Sequence, residues 1–189
     1  KFKDLLSNRY PKYKVMFQDA ADETNIEKNL LAAISFQESQ WDPKAKSNMG
    51  VRGMMMVTLE TAALVGVEKR LNPEQNIKGG ARYFAMLKEK NKIGPTEADK
   101  LSIVLASYNL GPTNIKKVAK SIDSNIQDVL WNEIKEELRT MNGEDLNLTD
   151  NESYSRGQQA IDYVDRVKNY YRLLSAHSCV APKDLLTFF

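Results

Sequence analysis

Apolar residues along this 189-residue chain recur mainly at the three- and four-residue spacing of α-helices. No segment alternates apolar and polar residues for long enough to predict a β-strand. Gly and Pro, which break helices, are sparse at 9 and 6 residues. We therefore predict an all-α fold. The predicted helices cover about 12–23, 24–41, 59–65, 73–93, 97–110, 113–122, 125–141 and 154–177, with a Gly-bearing loop at 42–57 and a polar loop at 142–153.

Several of these helices begin at residues that favour a helix N-terminus. Thr24 with Glu27, and Ser124 with Gln127, have the spacing of a capping box, in which each side chain accepts a hydrogen bond from the other residue's backbone N–H. Thr96 is a predicted single-residue cap for the helix that follows it. These residues set the predicted helix boundaries.

The composition is that of an ordinary globular domain, with 42% hydrophobic and 28% charged residues. The formal net charge of +2 is too small to predict binding to nucleic acid. No apolar run approaches the roughly 20 residues of a membrane-spanning helix. We expect one domain over residues 1–177 and a C-terminal tail over 178–189. Because the chain begins Lys1-Phe2-Lys3 rather than with Met, we expect a processed protein or an excised domain.

The small number of His and Cys residues restricts the chemistry that this chain can perform. The chain has one His, His177, and one Cys, Cys179. A zinc site with several His or Cys ligands is excluded, and a Ser-His-Asp or Cys-His arrangement would have to use His177. A single Cys also permits no internal disulfide. Asp and Glu together number 25, so we predict a carboxylate enzyme that needs neither metal nor cofactor.

Glu38 is the strongest candidate for a catalytic carboxylate. In the helix predicted from Thr24, the residues Ile26, Leu30, Ile34 and Glu38 follow at four-residue intervals and share one face. Burial on this apolar face is expected to raise the pKa of Glu38, and the dipole at the helix C-terminus acts in the same direction. A carboxyl that keeps its proton near neutral pH suits a general acid. The alternative is a structural Glu at the helix edge, bonded to a neighbour.

Three segments of the chain together form a family signature. They are Glu38-Ser39-Gln40-Trp41-Asp42-Pro43 with Ser47 and Gly50-Val51-Arg52-Gly53-Met54-Met55-Met56, then Ala106-Ser107-Tyr108-Asn109-Leu110-Gly111-Pro112, and last Tyr163-Val164-Asp165-Arg166-Val167. Their content and order resemble the lytic murein transglycosylases of the soluble-lytic-transglycosylase type. The sequence departs from that pattern at Met56, where most members have Gln, and at Gln159, where many have Glu.

The resemblance implies an all-α, lysozyme-like domain, of the kind shared by goose-type lysozyme and lytic transglycosylases, with a glycan-binding cleft. Members of the family cleave the β-1,4 bond between N-acetylmuramic acid and N-acetylglucosamine without water, and they leave 1,6-anhydromuramic acid ends. Glu38 is then implied to be the acid and afterwards the base, with no cofactor. The implied substrate-binding residues are Ser47, Met54, Met55, Met56, Tyr108, Asn109 and Tyr163.

Two local features narrow the resemblance to a membrane-bound branch of the family. They are Gly53-Met54-Met55-Met56-Val57-Thr58 and Tyr154-Ser155-Arg156-Gly157, which leads into Tyr163. The branch implies a periplasmic location, association with the outer membrane, and an upstream regulatory domain similar to periplasmic solute-binding proteins. Peptidoglycan glycan strands are the implied partner, and we expect a monomer.

Simpler structural roles remain open for several of these residues. We interpret Asp42 as a turn residue. Ser47 could be a turn former, Asn109 a helix C-cap, and Tyr108, four residues after Val104, a core residue. The three methionines, Met54, Met55 and Met56, could pack in the core, with one of them forming a cleft wall. For the whole chain, the alternatives are a hydrolytic muramidase of the same fold and an inactive glycan-binding domain.

Overall fold

The structure is a computed structural model that describes residues 1–47, 50–140 and 150–178, and of residues 150–155 only the backbone. Within these ranges the chain is helical and contains no strand, which confirms the predicted all-α fold. Two isolated antiparallel bridges, between Lys46 and Arg52 and between Arg52 and Val57, occur in the loop after the third helix. The predicted tail beyond residue 178 lies outside the described residues.

The described residues divide into two compact units. The first contains residues 1–85 and 167–178, and the second contains residues 86–166. The unit boundaries fall inside two helices, α5 and α9. The helices of the described ranges are α1 (Phe2–Asn8), α2 (Lys14–Thr24), α3 (Lys28–Ser39), α4 (Leu59–Leu64), α5 (Pro73–Lys90), α6 (Glu97–Leu110), α7 (Pro112–Ile122), α8 (Trp131–Thr140) and α9 (Asp150–His177), with a short 3₁₀ helix at Tyr10–Lys12.

Helix α3 lies at the centre of the first unit. Every residue from Leu30 to Phe36 is buried, so this helix is enclosed on all sides rather than amphipathic. The ring of Phe36 packs edge-on against Phe2 of α1 and Tyr170 of α9, with centroids 4.8 Å and 4.5 Å apart. Tyr10 is buried in the same aromatic cluster, and this burial raises the pKa of its hydroxyl.

The second unit is built around α6, whose residues from Ser102 to Ser107 are all buried. Helices α7 and α8 each present one apolar face, which includes Ile115 and Val118 in α7 and Ile134 in α8. A Cβ atom at Gly157 of α9 would collide with the backbone carbonyl of Leu138, so only a glycine permits this close approach of α8 and α9.

The two predicted capping boxes are wrong. Thr24 is the last residue of α2 rather than the cap of α3, because its hydroxyl donates to the Ala20 carbonyl 2.7 Å away and Asn25 then takes a left-handed conformation with φ 55°. Helix α3 begins at Lys28 after the extended residue Glu27. Ser124 lies in a turn.

Helix α8 begins only at Trp131, and carboxylates cap the backbone N–H groups at its start. Leu130 donates to the Glu133 carboxylate at 2.7 Å and Trp131 donates to that of Asp99 at 2.9 Å. By contrast, the Thr96 cap is confirmed, because its hydroxyl oxygen accepts from the Asp99 N–H at 3.1 Å.

The predicted loop at 142–153 is only partly testable. Its residues 142–149 lie outside the described residues, whereas 150–153 are helical and belong to the first turn of α9. Helix α9 thus begins about one turn earlier than the apolar stripe indicated. Its polar first turn carries no apolar residue that periodicity could detect.

Candidate active site

Glu38 lies in the last turn of α3 and is half-buried. The helix ends at Ser39 because Gln40 and Trp41 both take left-handed conformations, with φ 54° and 59°. Trp41 is fully buried, and its indole N–H donates to the carbonyl of Ala32, a residue of α3, at 2.9 Å. This anchored aromatic side chain fixes the direction in which the chain leaves the helix beside Glu38.

The apolar stripe that predicted Glu38 is buried as expected. Leu30 and Ile34 of α3 are buried, and Ile26 is also buried although it precedes the helix. Glu38 is the first member of the series with part of its surface exposed to solvent. A carboxyl in this position can reach a substrate from outside while part of it stays in contact with the protein interior.

A loop follows α3 and is bonded to its last turn. We call residues 52–57 the methionine loop. The carbonyl of Met54 accepts hydrogen bonds from the hydroxyls of Ser35, at 3.0 Å, and Ser39, at 2.8 Å. These two serines lie three residues before and one residue after Glu38 along the helix. The loop and the helical turn that carries Glu38 are therefore joined by two buried hydrogen bonds.

The other side of the methionine loop is bonded to Asn76 of α5, a residue that the sequence analysis did not identify. The Met55 N–H donates to Asn76 Oδ1 at 2.7 Å, and Asn76 Nδ2 donates to the carbonyls of Arg70 at 2.7 Å and Arg52 at 3.3 Å. The side chain is 0% exposed. No local sequence pattern predicts such a residue, because its partners lie 6 to 24 positions away along the chain.

The three predicted methionines occupy different positions. Met54 and Met55 are fully buried, so their side chains pack inside the first unit. Met55 lies against Gly80 of α5, where an added Cβ would come within 2.6 Å of the Met55 Cβ. Met56 is half-buried with φ 48°, an unusual conformation for a residue other than glycine. Of the three side chains, only that of Met56 offers surface to a ligand.

Ser47 and Asp42 both take part in turns. Asp42 Oδ1 accepts from the Lys44 N–H at 2.9 Å, which confirms its interpretation as a turn residue. Ser47 Oγ accepts from the Val51 N–H at 3.1 Å, and the two residues also bond through their backbones at 2.9 Å. The turn-forming role of Ser47 is thus present. Its hydroxyl proton has no acceptor among the described residues and is left for another contact.

The remaining predicted residues, Tyr108, Asn109 and Tyr163, belong to the second unit. Tyr108 is half-buried rather than part of the core, whereas Tyr163 is buried. Asn109 does not cap α6, because that helix ends at Leu110 and is capped by Gly111, whose N–H donates to the Ser107 carbonyl. The side-chain oxygen of Asn109 is buried and accepts no hydrogen bond from any described residue. An oxygen in this state is open to a further hydrogen-bond donor.

The described residues show neither a metal site nor a membrane span. No group of three or more His, Cys, Asp or Glu side chains in these ranges is placed to bind a metal ion. None of the helices in residues 1–47, 50–140 and 150–178 combines the length and the apolar character that spanning a bilayer requires.

Comparison with known proteins shows the relatives of this chain. It is 38% identical over 176 residues to membrane-bound lytic murein transglycosylase F 1 of Alkalilimnicola ehrlichii, covering 92% of this chain and 35% of the relative. It is 37% identical over 177 residues to membrane-bound lytic murein transglycosylase F of Saccharophagus degradans, with coverage of 92% and 35%. The chain thus spans about a third of the length of these curated relatives.

Solved structures confirm the fold. An inactive mutant of lytic transglycosylase Slt from Pseudomonas aeruginosa superimposes with a TM-score of 0.64 at 17% identity, covering 89% of this chain and 24% of that one. The 70 kDa soluble lytic transglycosylase from Escherichia coli gives a TM-score of 0.58 at 20% identity, with coverage of 88% and 24%. The lysozyme-like helical fold is therefore that of the lytic transglycosylases.

A family comparison agrees with both results. The family described as Transglycosylase SLT domain matches residues 15–129, which is more than half of the chain and includes Glu38, Ser47, the methionine loop, Tyr108 and Asn109. On this match and on the identity to its relatives, the chain belongs to the Transglycosylase SLT domain family.

Proposed function

We propose that this domain is a lytic transglycosylase that cleaves the β-1,4 bond between N-acetylmuramic acid and N-acetylglucosamine in peptidoglycan. The observation that carries the proposal is the position of Glu38 in the last turn of α3, half-buried and flanked by the two serines that bind the methionine loop. Membership in the family and the names of the relatives support the same activity.

Glu38 serves first as acid and then as base. As acid, it gives its proton to the oxygen that leaves C1 of the muramic acid residue, and the bond between C1 and that oxygen breaks. The carbonyl oxygen of the substrate's own N-acetyl group binds C1 and shares the developing positive charge. The Glu38 carboxylate then takes the proton of the C6 hydroxyl, whose oxygen displaces the acetamido oxygen from C1. The product is a 1,6-anhydro sugar, and no water is consumed.

One carboxylate is sufficient for these two steps because the substrate supplies both the N-acetyl oxygen that binds C1 and the hydroxyl that later attacks it. Glycosidases that use water generally need a second carboxylate across the bond. Asp42, the nearest acid along the chain, uses an oxygen to hold the N–H of Lys44 in a turn. Asp42 thus has a structural role in the turn, and the proposed mechanism assigns it no chemical step.

Contacts to sugar are proposed for five residues, each on its own grounds. In the first unit, the hydroxyl proton of Ser47, which no described residue accepts, suits the N-acetyl carbonyl, and the half-buried side chain of Met56 suits an apolar sugar face. In the second unit, the buried Asn109 oxygen suits a sugar hydroxyl or amide N–H. Tyr108 and Tyr163 are proposed to contact sugar as the family resemblance implies. Met54 and Met55 are proposed to act through the backbone of the methionine loop, since their side chains are buried.

The relatives support a proposal about where the whole protein acts. Because two of them are named membrane-bound, we propose a periplasmic location with association to the outer membrane. The upstream domain similar to solute-binding proteins and the monomeric state are parts of the same proposal.

The chemistry of the released ends tests this function. Purified cell-wall sacculi are incubated with the domain, and the soluble products are analysed by mass spectrometry. We expect 1,6-anhydromuramic acid ends, which weigh one water less than reducing ends. Reducing ends would instead identify a hydrolytic muramidase, and binding without any released product would identify an inactive glycan-binding domain.

A further inference from the structure

The methionine loop has inward-facing backbone groups that no helix or sheet can satisfy. The Met54 carbonyl is paired with Ser35 and Ser39 of α3, as described above. The Met55 N–H and the Arg52 carbonyl face the opposite way, toward α5. Buried backbone groups of this kind need partners, so the residue that provides them determines where the loop lies.

Asn76 is that residue. A side-chain amide offers one acceptor oxygen and two N–H donors. Here the oxygen accepts from Met55, and the nitrogen donates to Arg70 and Arg52. All three bonds go to backbone atoms, and the side chain is fully buried. Gly53, with φ 94°, has no room for a Cβ beside the Asn76 amide, so the loop backbone rests directly on this side chain.

We propose that Asn76 is a positioning residue for the transglycosylase reaction, and this role rests on the function proposed for Glu38. Asn76 holds the methionine loop from the α5 side, while Ser35 and Ser39 join the loop to the turn that carries Glu38. The amide therefore keeps Glu38 and the half-buried side chain of Met56 in one fixed arrangement. Asn76 touches no reacting atom, and its effect on catalysis passes through the loop.

The substitution Asn76→Ala tests this role, with Asn29→Ala as a matched control. Asn29 is also a buried asparagine of the first unit, but its amide donates to Ser178 at 3.0 Å and to Ser175 at 3.5 Å, both at the end of α9. Both substitutions remove buried amide hydrogen bonds, and both are expected to lower the unfolding temperature. Only Asn76→Ala removes hydrogen bonds to the methionine loop.

Turnover of purified glycan strands is measured at a temperature where circular dichroism shows both variants to be folded. We expect Asn76→Ala to lower kcat on the order of 10²-fold, because small displacements of catalytic groups have effects of this size. KM should change by less than about threefold, since the lost arrangement concerns the transition state more than binding. The kcat of Asn29→Ala should stay within about twofold of wild type.

Amide hydrogen exchange provides a second readout that does not depend on activity. The Met55 N–H is bonded to Asn76 Oδ1, so its exchange should become at least about tenfold faster in Asn76→Ala and stay slow in Asn29→Ala. If Asn76→Ala does not fold, Asn76→Ser is measured in its place, because its hydroxyl and a water molecule can pair part of the released backbone groups. The same changes, smaller in size, are expected.

The outcomes separate the two proposals. A wild-type domain that releases no product overturns the proposed function, and the role of Asn76 falls with it. An active wild type, combined with an Asn76 variant whose kcat matches that of Asn29→Ala, overturns the positioning role alone. A loss of kcat without faster exchange at Met55 also overturns it, because the effect would then not pass through the loop.

Discussion

The substitution Glu38→Gln separates the chemistry of this carboxyl group from its shape. The amide has nearly the same size and can still accept a hydrogen bond, but it can neither give up the proton to the leaving oxygen nor take one from the C6 hydroxyl. General acid–base catalysis contributes roughly 10²–10⁴-fold to a rate. Because Glu38 is proposed to serve in both steps, we expect the rate of product release to fall by at least about 10³-fold.

The stability of this variant should remain close to that of wild type. Glu38 is half-buried in the last turn of α3, so the substitution removes a negative charge from the negative end of the helix dipole. Relief of that repulsion is worth about 0.3–1 kcal/mol, and partial exposure to solvent places it at the low end. Weaker hydrogen bonds of the amide oppose this gain by a similar amount. The net change should lie within about 1 kcal/mol, or about 2–4 °C in Tm.

The control for this experiment is Glu89→Gln. Glu89 is the second-to-last residue of α5, as Glu38 is of α3, but its side chain is exposed. The same charge is thus removed from the same helical position at a site with no proposed role. Both variants and wild type are compared by thermal unfolding and by mass spectrometry of anhydro products from sacculi. Activity of Glu38→Gln within about tenfold of wild type would refute the catalytic assignment.

Three further substitutions test other parts of the structure. Gly80→Ala should destabilise the domain by about 1–2 kcal/mol, since overpacking against Met55 outweighs the better helix propensity of alanine, and a higher Tm would contradict this packing. Gln159→Glu should keep turnover within about twofold, because Gln159 is exposed and Arg156 lies within reach of the new carboxylate; a large loss would refute the alignment of α9 with the family. Burial raises the pKa of Tyr10 above 10.0, so the unfolded state releases this proton first and the free energy of unfolding should fall as pH rises above about 10. Tyr10→Phe should lessen that fall in urea unfolding at alkaline pH, and an unchanged pH dependence would show that the hydroxyl is not buried.

Local chemistry explains which features of the fold could be predicted. The spacing of apolar residues revealed most of the helices, although not α1, and Thr96 capped α6 as expected. These features could be predicted because a helix and its cap involve atoms only three or four residues apart. The same reasoning placed Asp42 in a turn. Where it was wrong, at Thr24, the sequence offered two local solutions: the hydroxyl could cap the next helix or bond the preceding turn, and it bonds the preceding turn.

The candidate site likewise contains features that the sequence predicted and features that it did not. Glu38 was found because its helix carries an apolar stripe and because the segments around it match a family signature. The sequence left open whether Met54 and Met55 pack or bind substrate, because their burial depends on α5 packing against the methionine loop. Their side chains pack inside the first unit, and a role for these two residues in substrate binding stays a prediction.

The sequence by itself determined the helical class, most of the helix boundaries and the carboxylate on which the proposed chemistry depends. All of these follow from periodicity, from caps or from short motifs, whose interacting atoms are close along the chain. Only the tertiary structure decided that Ser35, Ser39 and Asn76 hold the methionine loop from two sides. Their partners are 6 to 24 residues away, and a hydrogen bond between such distant positions produces no periodic pattern in the sequence. It forms only when folding has brought α3 and α5 to opposite sides of the loop and has removed water from the groups between them.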